Sequence, residues 1–279
     1  MSILDEIFNS KRLDLARRMQ AKPVAEVRAE VEYAARPPLD FIGALRAARA
    51  RNGRPALVAE VKHASPSRGI LVQDFNPLHL AQVYRQNGAA AISVLTEERY
   101  FLGKLDDLAQ IAHLFQDGER LPLLCKDFLC DPYQVYEARA AGADAVLLIA
   151  AYLEQPVLRQ LHSLAGQLGM AALVEVHSLE ELDKALACNP RLIGINNRDL
   201  HDFSVSLETT LTLKRHIPGS ICVIAESGIH TPADIDCLAG AGVDAILVGE
   251  ALVTASDVAE KIRSFSGKPQ RMDELQGKK

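Results

Sequence analysis

The 279-residue chain is 48% hydrophobic and 24% charged, carries a formal net charge of −5, and contains no tryptophan. That is the composition of an ordinary globular protein, and a chain this long can bury a core without disulfide or metal staples. The negative balance and the lack of long basic runs exclude nucleic acid or an anionic membrane as the main partner. They leave an anionic small molecule open, because local charge governs a site.

The five cysteines, Cys125, Cys130, Cys188, Cys222 and Cys237, form no C-x-x-C pair and lie mostly in apolar runs. They read as reduced, buried small hydrophobes rather than as a disulfide or metal framework. The opening MSILDEIFNSKRLDLARRMQ mixes acids with its apolar residues and is not read as a secretory signal. The longest apolar run, 145–153, is far shorter than the ~18 residues a bilayer span requires. The expectation is a cytoplasmic protein without membrane contact.

Two helical patterns come first. Ile3, Leu4, Ile7, Leu13, Leu15 and Ala16 recur at helical spacing, as do Phe41, Ile42, Leu45 and Ala48 after Pro38. A unit then repeats: a short β-branched or leucine-rich run ends in polar residues, and a helix-period segment follows. The runs are ALVAEVK (56–62), AAISVLT (90–96), PLLCKDF (122–128), AVLLIA (145–150), AALVEVH (171–177), LIGINNR (192–198), CVIAES (222–227) and AILVGE (245–250). Helices are predicted over 77–86, 104–115, 131–141, 154–167, 178–187, 207–216 and 231–241. Asp131-Pro132 and Thr231-Pro232 read as cap-plus-proline starts.

Eight such units with near-continuous apolar strands imply a parallel sheet covered on both faces. An open doubly wound sheet is the rival. A closed (β/α)8 TIM barrel is favoured because no G-x-G-x-x-G turn follows any strand. The expected organisation is a helical extension over 1–52 packed on a barrel over 53–266, with a loose polar tail over 267–279, all in a single domain.

Polar residues stand where such a barrel should be apolar. Strand alternation puts Val58, Glu60 and Lys62 on one parity, and likewise Leu124, Lys126 and Phe128. Leu173, Glu175 and His177 form a third set, Gly194, Asn196 and Arg198 a fourth, and Val223, Ala225 and Ser227 a fifth. The charged or hydrogen-bonding members sit at the carboxyl ends of their runs, where sites of this fold lie. A lone buried lysine or glutamate costs several kcal/mol unless paired or solvated. The bland alternative is an ion-pair network plugging the barrel mouth; so many groups converging favour a site. Ser227-Gly228 after the seventh strand and Gly249-Glu250 after the eighth, the latter opening a short helix through ALVTASDV, read as a phosphate cradle. Two tight turns that merely need glycine are the plainer possibility.

These residues resemble one family. AEVKHASPSRG (59–69), SVLTEERYFLG (93–103), LLCKDF (123–128), LVEVH (173–177), IGINNRDL (193–200), IAESGI (224–229) and LVGEAL (247–252) are similar, in order over nearly the whole chain, to segments of indole-3-glycerol-phosphate synthases. The helical extension before the first strand belongs to the likeness. The resemblance implies that Lys126 is the general acid at the ribulose carbonyl and Glu175 the base of a later dehydration. It implies that Lys62 contacts the substrate's anionic groups and can share the acid role, that Glu60 orients Lys62, and that Asn196 binds hydroxyls. Ser65 and Arg198 would bind the carboxylate or hydroxyls, and Phe101, Phe128 and Leu147 would wall an aromatic ring, with Leu247 counted among the substrate-binding residues. Ser227, counted with the catalytic set too, Gly228, Gly249 and Glu250 would hold the phosphate. His63 should point away from the site by parity.

The implied reaction closes, decarboxylates and dehydrates 1-(2-carboxyphenylamino)-1-deoxyribulose 5-phosphate. It needs an acid and a base and no redox or metal step, so neither cofactor nor metal is expected. The expected partner is an anthranilate-derived sugar phosphate; the chain is read as a monomer, with other pathway enzymes as conceivable partners. The segment HASPSRGIL is expected to close over the substrate. Rival readings are a sugar-phosphate isomerase of the same fold, of the phosphoribosylanthranilate type, a Schiff-base aldolase using Lys126 or Lys62, and a non-catalytic phosphate-binding subunit.

Overall fold

The computed structural model describes residues 3–33, 36–115, 118–199 and 203–268. The expected tail, beyond Lys268, lies outside these residues.

Three helices precede the first strand: α1 (Ile3–Ala21), α2 (Val24–Tyr33) and α3 (Phe41–Asn52). The sequence reading found two; α2, whose Val24, Val27 and Val31 recur at helical spacing, was not among them. The eight barrel strands are β1 (Ala56–Val61), β2 (Ala91–Leu95), β3 (Leu123–Lys126), β4 (Ala145–Ile149), β5 (Ala171–Val176), β6 (Leu192–Asn196), β7 (Cys222–Glu226) and β8 (Ala245–Val248). They form a closed parallel barrel in which each strand pairs with its sequence neighbours and β1 pairs with β8. The TIM-barrel expectation is met.

Local chemistry sets the connecting helices. α4 (Pro77–Asn87) starts on the Asn76 side chain, which accepts from the His79 N–H. α6 (Pro132–Ala140) and α10 (Pro232–Gly240) carry full capping boxes at Asp131 and Thr231, so both cap-plus-proline predictions hold. α5 (Leu105–Leu114), α7 (Gln155–Gln167) and α8 (Leu179–Leu186) match their predicted spans closely. The predicted 207–216 helix is α9 (Glu208–Leu213) tightening into a 3₁₀ turn over Lys214–His216. After β8, the helix expected through ALVTASDV is two: α11 (Glu250–Val253) and α12 (Val258–Ser266), the second capped by Asp257. Between β1 and α4, Ala64–Ser65 pairs with Gly69–Ile70 as a small antiparallel hairpin.

Two apolar layers follow from strand alternation. Leu57, Ala59, Val61, Ile92 and Val94 join the helices outside, whereas Val58, Leu124, Leu147, Leu173, Ile224 and Leu247 fill the interior. Alanines at the strand starts, Ala56, Ala91, Ala145 and Ala245, leave room for α3, whose Phe41, Ile42 and Leu45 pack into the same interior cluster. α3 therefore plugs the barrel floor. Asp144 fastens that floor. Its carboxylate takes two hydrogen bonds from Arg120, both 2.9 Å, and accepts from the backbone N–H of Leu39 and Leu123, both 2.7 Å.

The seventh strand corrects the sequence reading. Val223 and Ala225 belong to the outer layer, whereas Cys222 and Ile224 face inward. The inward set is thus Cys222, Ile224 and Glu226, not Val223, Ala225 and Ser227. Both parities of CVIA are apolar, so alternation gave no phase. Ser227 lies beyond the strand with φ +65° and does not continue the pleat.

Removing the floor clamp should be costly. Asp144→Ala strands a buried guanidinium and two backbone donors, and is expected to lower unfolding free energy by about 3–5 kcal/mol in urea titration. A loss within about 0.5 kcal/mol, the range of ordinary surface changes, would contradict this role.

Candidate active site

On β1, β3, β5, β6 and β7 the inward side turns polar at or beside the strand end, at Glu60, Lys126, Glu175, Asn196 and Glu226. Register places them side by side: Glu60 pairs with Ser93, Glu175 with Gly194, and Asn196 with Glu226. Lys126 ends β3, and its ammonium lies 3.0 Å from Glu175 Oε2 and 2.8 Å from Glu226 Oε2. Lys62 Nζ lies 3.4 Å from Glu60 Oε1 and 5.5 Å from the centre of the Phe101 ring. Asn196 Nδ2 donates to Glu175 Oε1 at 3.3 Å, while its Oδ1 accepts from the Arg198 N–H at 3.1 Å.

Burial alone would lower the Lys126 ammonium, but Glu175, Glu226 and Glu60 more than reverse that and hold it protonated. Burial would raise Glu175, yet Lys126 and His177, with hydrogen bonds from Lys126 and Asn196, hold it below the usual range. Glu226 goes the other way. Burial lifts its carboxyl to about 7, with Glu175 and Glu60 adding to the rise against Lys126. Two carboxylates on one ammonium thus end with opposite proton affinities, the arrangement that separates acid from base.

One cavity collects these groups. Its walls include Glu60, Lys62, Lys126, Glu175, Asn196 and Glu226; Ser65, Phe101, Phe128, Leu147, Arg198 and Leu247; and Ser227, Gly228, Gly249 and Glu250. Every residue selected from the sequence lies there. His63 does not; its ring stacks on Phe75 at 4.6 Å, as parity required. His177 shares the Glu175 parity but sits behind it, bound to Glu181. Among the described residues no group of His, Cys, Asp and Glu is arranged to hold a metal ion.

Glycines make the room. A Cβ on Gly194 would lie 2.3 Å from Glu226 Oε1, and one on Gly249 2.3 Å from Glu60 Oε1. Gly228 has φ +74° and faces Val205 closely enough to forbid a side chain. Around the rim, Glu97 accepts from the N–H groups of Arg99, Tyr100 and Phe101 at 3.0, 2.7 and 3.0 Å, holding the turn that carries Phe101. Arg68 of the hairpin forms an ion pair with Glu250 across the opening.

Several residues escaped the sequence reading. Glu226 was missed through the phase error; a carboxylate ending an otherwise apolar run was the available signal. Leu4 and Ile7 of α1 also line the cavity. Phe8 stacks on Tyr152 at 3.4 Å and meets Phe128 edge-on at 5.4 Å. Asn197 donates to the Ser227 carbonyl at 3.1 Å and accepts from Thr210 Oγ1 at 2.7 Å, tying the ends of β6 and β7 together.

A closed parallel barrel with ammonium and carboxylate groups meeting around one hollow at its strand ends is the construction of a (β/α)8-barrel enzyme working by acid–base chemistry. The family model for indole-3-glycerol phosphate synthase matches residues 4–265. The chain belongs to that family. It is 50% identical over 271 residues to the indole-3-glycerol phosphate synthase of Roseiflexus castenholzii, covering 96% of this chain and 99% of that one. It is 49% identical over 265 residues to the protein of that name from Dehalococcoides mccartyi, covering 94% and 99%. Among solved structures, 3-hexulose-6-phosphate synthase from Salmonella typhimurium aligns with TM-score 0.61 and 12% identity over 76% of this chain and 97% of that one. Thiamine phosphate pyrophosphorylase from Pyrococcus furiosus gives 0.57 and 20% over 78% and 96%. At such identities these two share the fold alone.

Two outcomes follow from this packing. Gly194→Ala should destabilise the protein by about 1–3 kcal/mol, the usual cost of overpacking, and displace Glu226; unchanged stability and activity would refute the contact. Because the Glu226 pKa is raised in the fold, its stabilising protonation is complete below the ordinary carboxyl value and is lost as pH rises through about 7. Glu226→Gln should therefore gain Tm relative to the unmutated protein on going from pH 5 to pH 8; a pH-independent difference would contradict the raised value.

Proposed function

We propose that the protein converts 1-(2-carboxyphenylamino)-1-deoxyribulose 5-phosphate into indole-3-glycerol phosphate, carbon dioxide and water, acting as a carboxy-lyase. The observation that carries the reading is the Lys126 ammonium held between Glu175 and Glu226 at the cavity floor, in a chain of this family.

The first step needs a ketone made electrophilic. Lys126, kept charged by its neighbours, supplies both field and proton to the carbonyl oxygen as the aromatic carbon attacks. Loss of carbon dioxide returns the electron pair to the ring. The hydroxyl then takes a proton from the recharged Lys126 ammonium and leaves as water, while Glu175, held ionised, takes a proton from carbon. Glu226, with its pKa near 7, is suited to returning a proton to Lys126 across 2.8 Å. Lys62, aligned by Glu60, meets the substrate carboxylate, while Phe101, Phe128, Leu147 and Leu247 wall the ring. Asn196 and Arg198 take hydroxyls. The turns at Ser227-Gly228 and Gly249-Glu250 receive the phosphate, mainly through backbone donors. Holding a flexible sugar with its ring carbon against the carbonyl is an entropic gain.

Ser65 supports a substrate role for the hairpin, since its buried Oγ has no hydrogen-bond partner among the described residues and lies at the cavity. The Arg68–Glu250 ion pair supports closure of this segment over the phosphate end. The Schiff-base alternative is disfavoured at Lys126, because a lysine held protonated is no nucleophile. Of the isomerase alternative, with its cysteine–aspartate pair, the cavity carries no cysteine among the described residues.

The direct assay supplies the carboxyphenylamino substrate and follows indole fluorescence. Lys126→Ala and Glu175→Gln should each lower kcat by about 10²-fold or more, the usual range for a general acid or base; near-normal rates in both would overturn these roles. Ser65→Ala should raise KM by about 2- to 10-fold, one neutral hydrogen bond, with kcat little changed; an unchanged KM would remove Ser65 from the binding surface.

A further inference from the structure

Behind Glu175 stands a residue that the reaction as written does not use. His177 follows β5 directly, and its ring is caught between two carboxylates. Nδ1 lies 3.0 Å from Glu181 Oε2, and the same oxygen accepts from the His177 backbone N–H at 2.8 Å. Glu181 is fixed in turn: its own N–H donates to Ser178, the cap of α8. On the other side, Nε2 lies 3.5 Å from Glu175 Oε1, is buried, and has no hydrogen-bond partner among the described residues.

Which proton state fits this position follows from the inventory of the ring. With Nδ1–H donating to Glu181, a neutral imidazole would aim the Nε2 lone pair at a carboxylate oxygen. With the proton on Nε2 instead, a lone pair would face Glu181. Only the imidazolium carries an N–H on both nitrogens, so that no lone pair faces either carboxylate and its charge lies between them. The charged groups around it come from every side: Glu175 on β5, Glu181 on α8, Glu226 on β7 and, through Glu175, Lys126 on β3. Burial would lower the histidine, but the acids outweigh it and its proton is held to higher pH than usual.

We propose that His177 is a positioning residue for Glu175: carried as an imidazolium anchored on Glu181, it turns Glu175 Oε1 toward itself and Asn196 and leaves Oε2 toward Lys126, in the ionised, oriented state a base needs. This rests on the reading of Glu175 as the base. Asn196 Nδ2 donates to Oε1 at 3.3 Å and the charged His177 ring lies 3.5 Å from the same oxygen, while Lys126 Nζ at 3.0 Å holds the other. Glu175 therefore cannot swing without losing a charged contact, and the orienting charge comes from a residue outside the cavity wall.

The test combines a pH profile with a titration that needs no turnover. In His177→Gln, loss of the cation should raise the Glu175 pKa, moving the acidic limb of kcat up by about 1 pH unit. kcat should fall by about 10- to 100-fold, at or below the lower end of direct acid–base catalysis, with KM little changed. Glu181→Gln should instead lower the pH at which the His177 ring titrates. In the substrate-free protein, NMR titration of that ring should show a lower midpoint in both Glu175→Gln and Glu181→Gln. His177→Asn serves if the glutamine variant does not fold. An unmoved acidic limb, or a uniform loss at all pH values with a raised KM, would overturn the proposal. So would a ring titration indifferent to Glu175→Gln. If the unmutated protein formed no indole product, the functional reading would fail, while the ring titration would still decide whether His177 and Glu175 are coupled.

Discussion

The structure depends on keeping one ammonium group ionised in the middle of an apolar barrel. Taking a charge out of water costs several kcal/mol unless partners replace the solvent, and Lys126 has two, on β5 and β7. The pairing is asymmetric. Glu175 receives further support from Asn196 and His177 and stays ionised, whereas Glu226 has an oxygen without a hydrogen-bond partner among the described residues and a raised proton affinity. A single cation thus separates two like side chains into a base and a proton reservoir. That difference is tertiary: both glutamates stand at or beside the ends of apolar strands.

The cluster can exist only because its surroundings are rigid and exclude alternatives. Below it, Val58, Leu124, Leu173 and Ile224 fill the barrel, and α3 closes the floor through the alanine ring at the strand starts. Beside it, Gly194 and Gly249 leave the space that Glu226 and Glu60 occupy. Above it, backbone-directed side chains hold the turns: Glu97 the one bearing Phe101, and Asn197 the one bearing Ser227. Glu97 satisfies turn N–H groups and Asn197 a turn carbonyl, so buried polar side chains fix where these loops go.

The helical extension takes part in the site as well as in the fold. Lys11 of α1 is buried and pairs with Asp127 at 2.7 Å, and Asp127 also accepts from Thr96 Oγ1 at 2.8 Å. Asp127 stands between Lys126 and Phe128 in the chain. Phe8 reaches the same place from the apolar side, stacked on Tyr152 and edge-on to Phe128. Docking of α1 is therefore continuous with the placement of the β3 end, and Leu4 and Ile7 contribute cavity wall directly.

The sequence by itself determined the repeating strand–helix unit, the caps at Asp131 and Thr231, and the polar strand ends at Glu60, Lys62, Lys126, Glu175 and Asn196. These are local properties: alternation, capping chemistry and the cost of a charge in an apolar run act over a few residues. Val24, Val27 and Val31 of α2 also recur at helical spacing, but the inward direction of Glu226 was not legible, because both parities of β7 are apolar and phase is set by pairing with β6 and β8. Only the tertiary structure decided which glutamate keeps a proton, that His177 stands behind Glu175, and that α1 supplies part of the wall. Each depends on distances between residues far apart in the chain, and the free energy of a charge is fixed by what the closed barrel brings beside it.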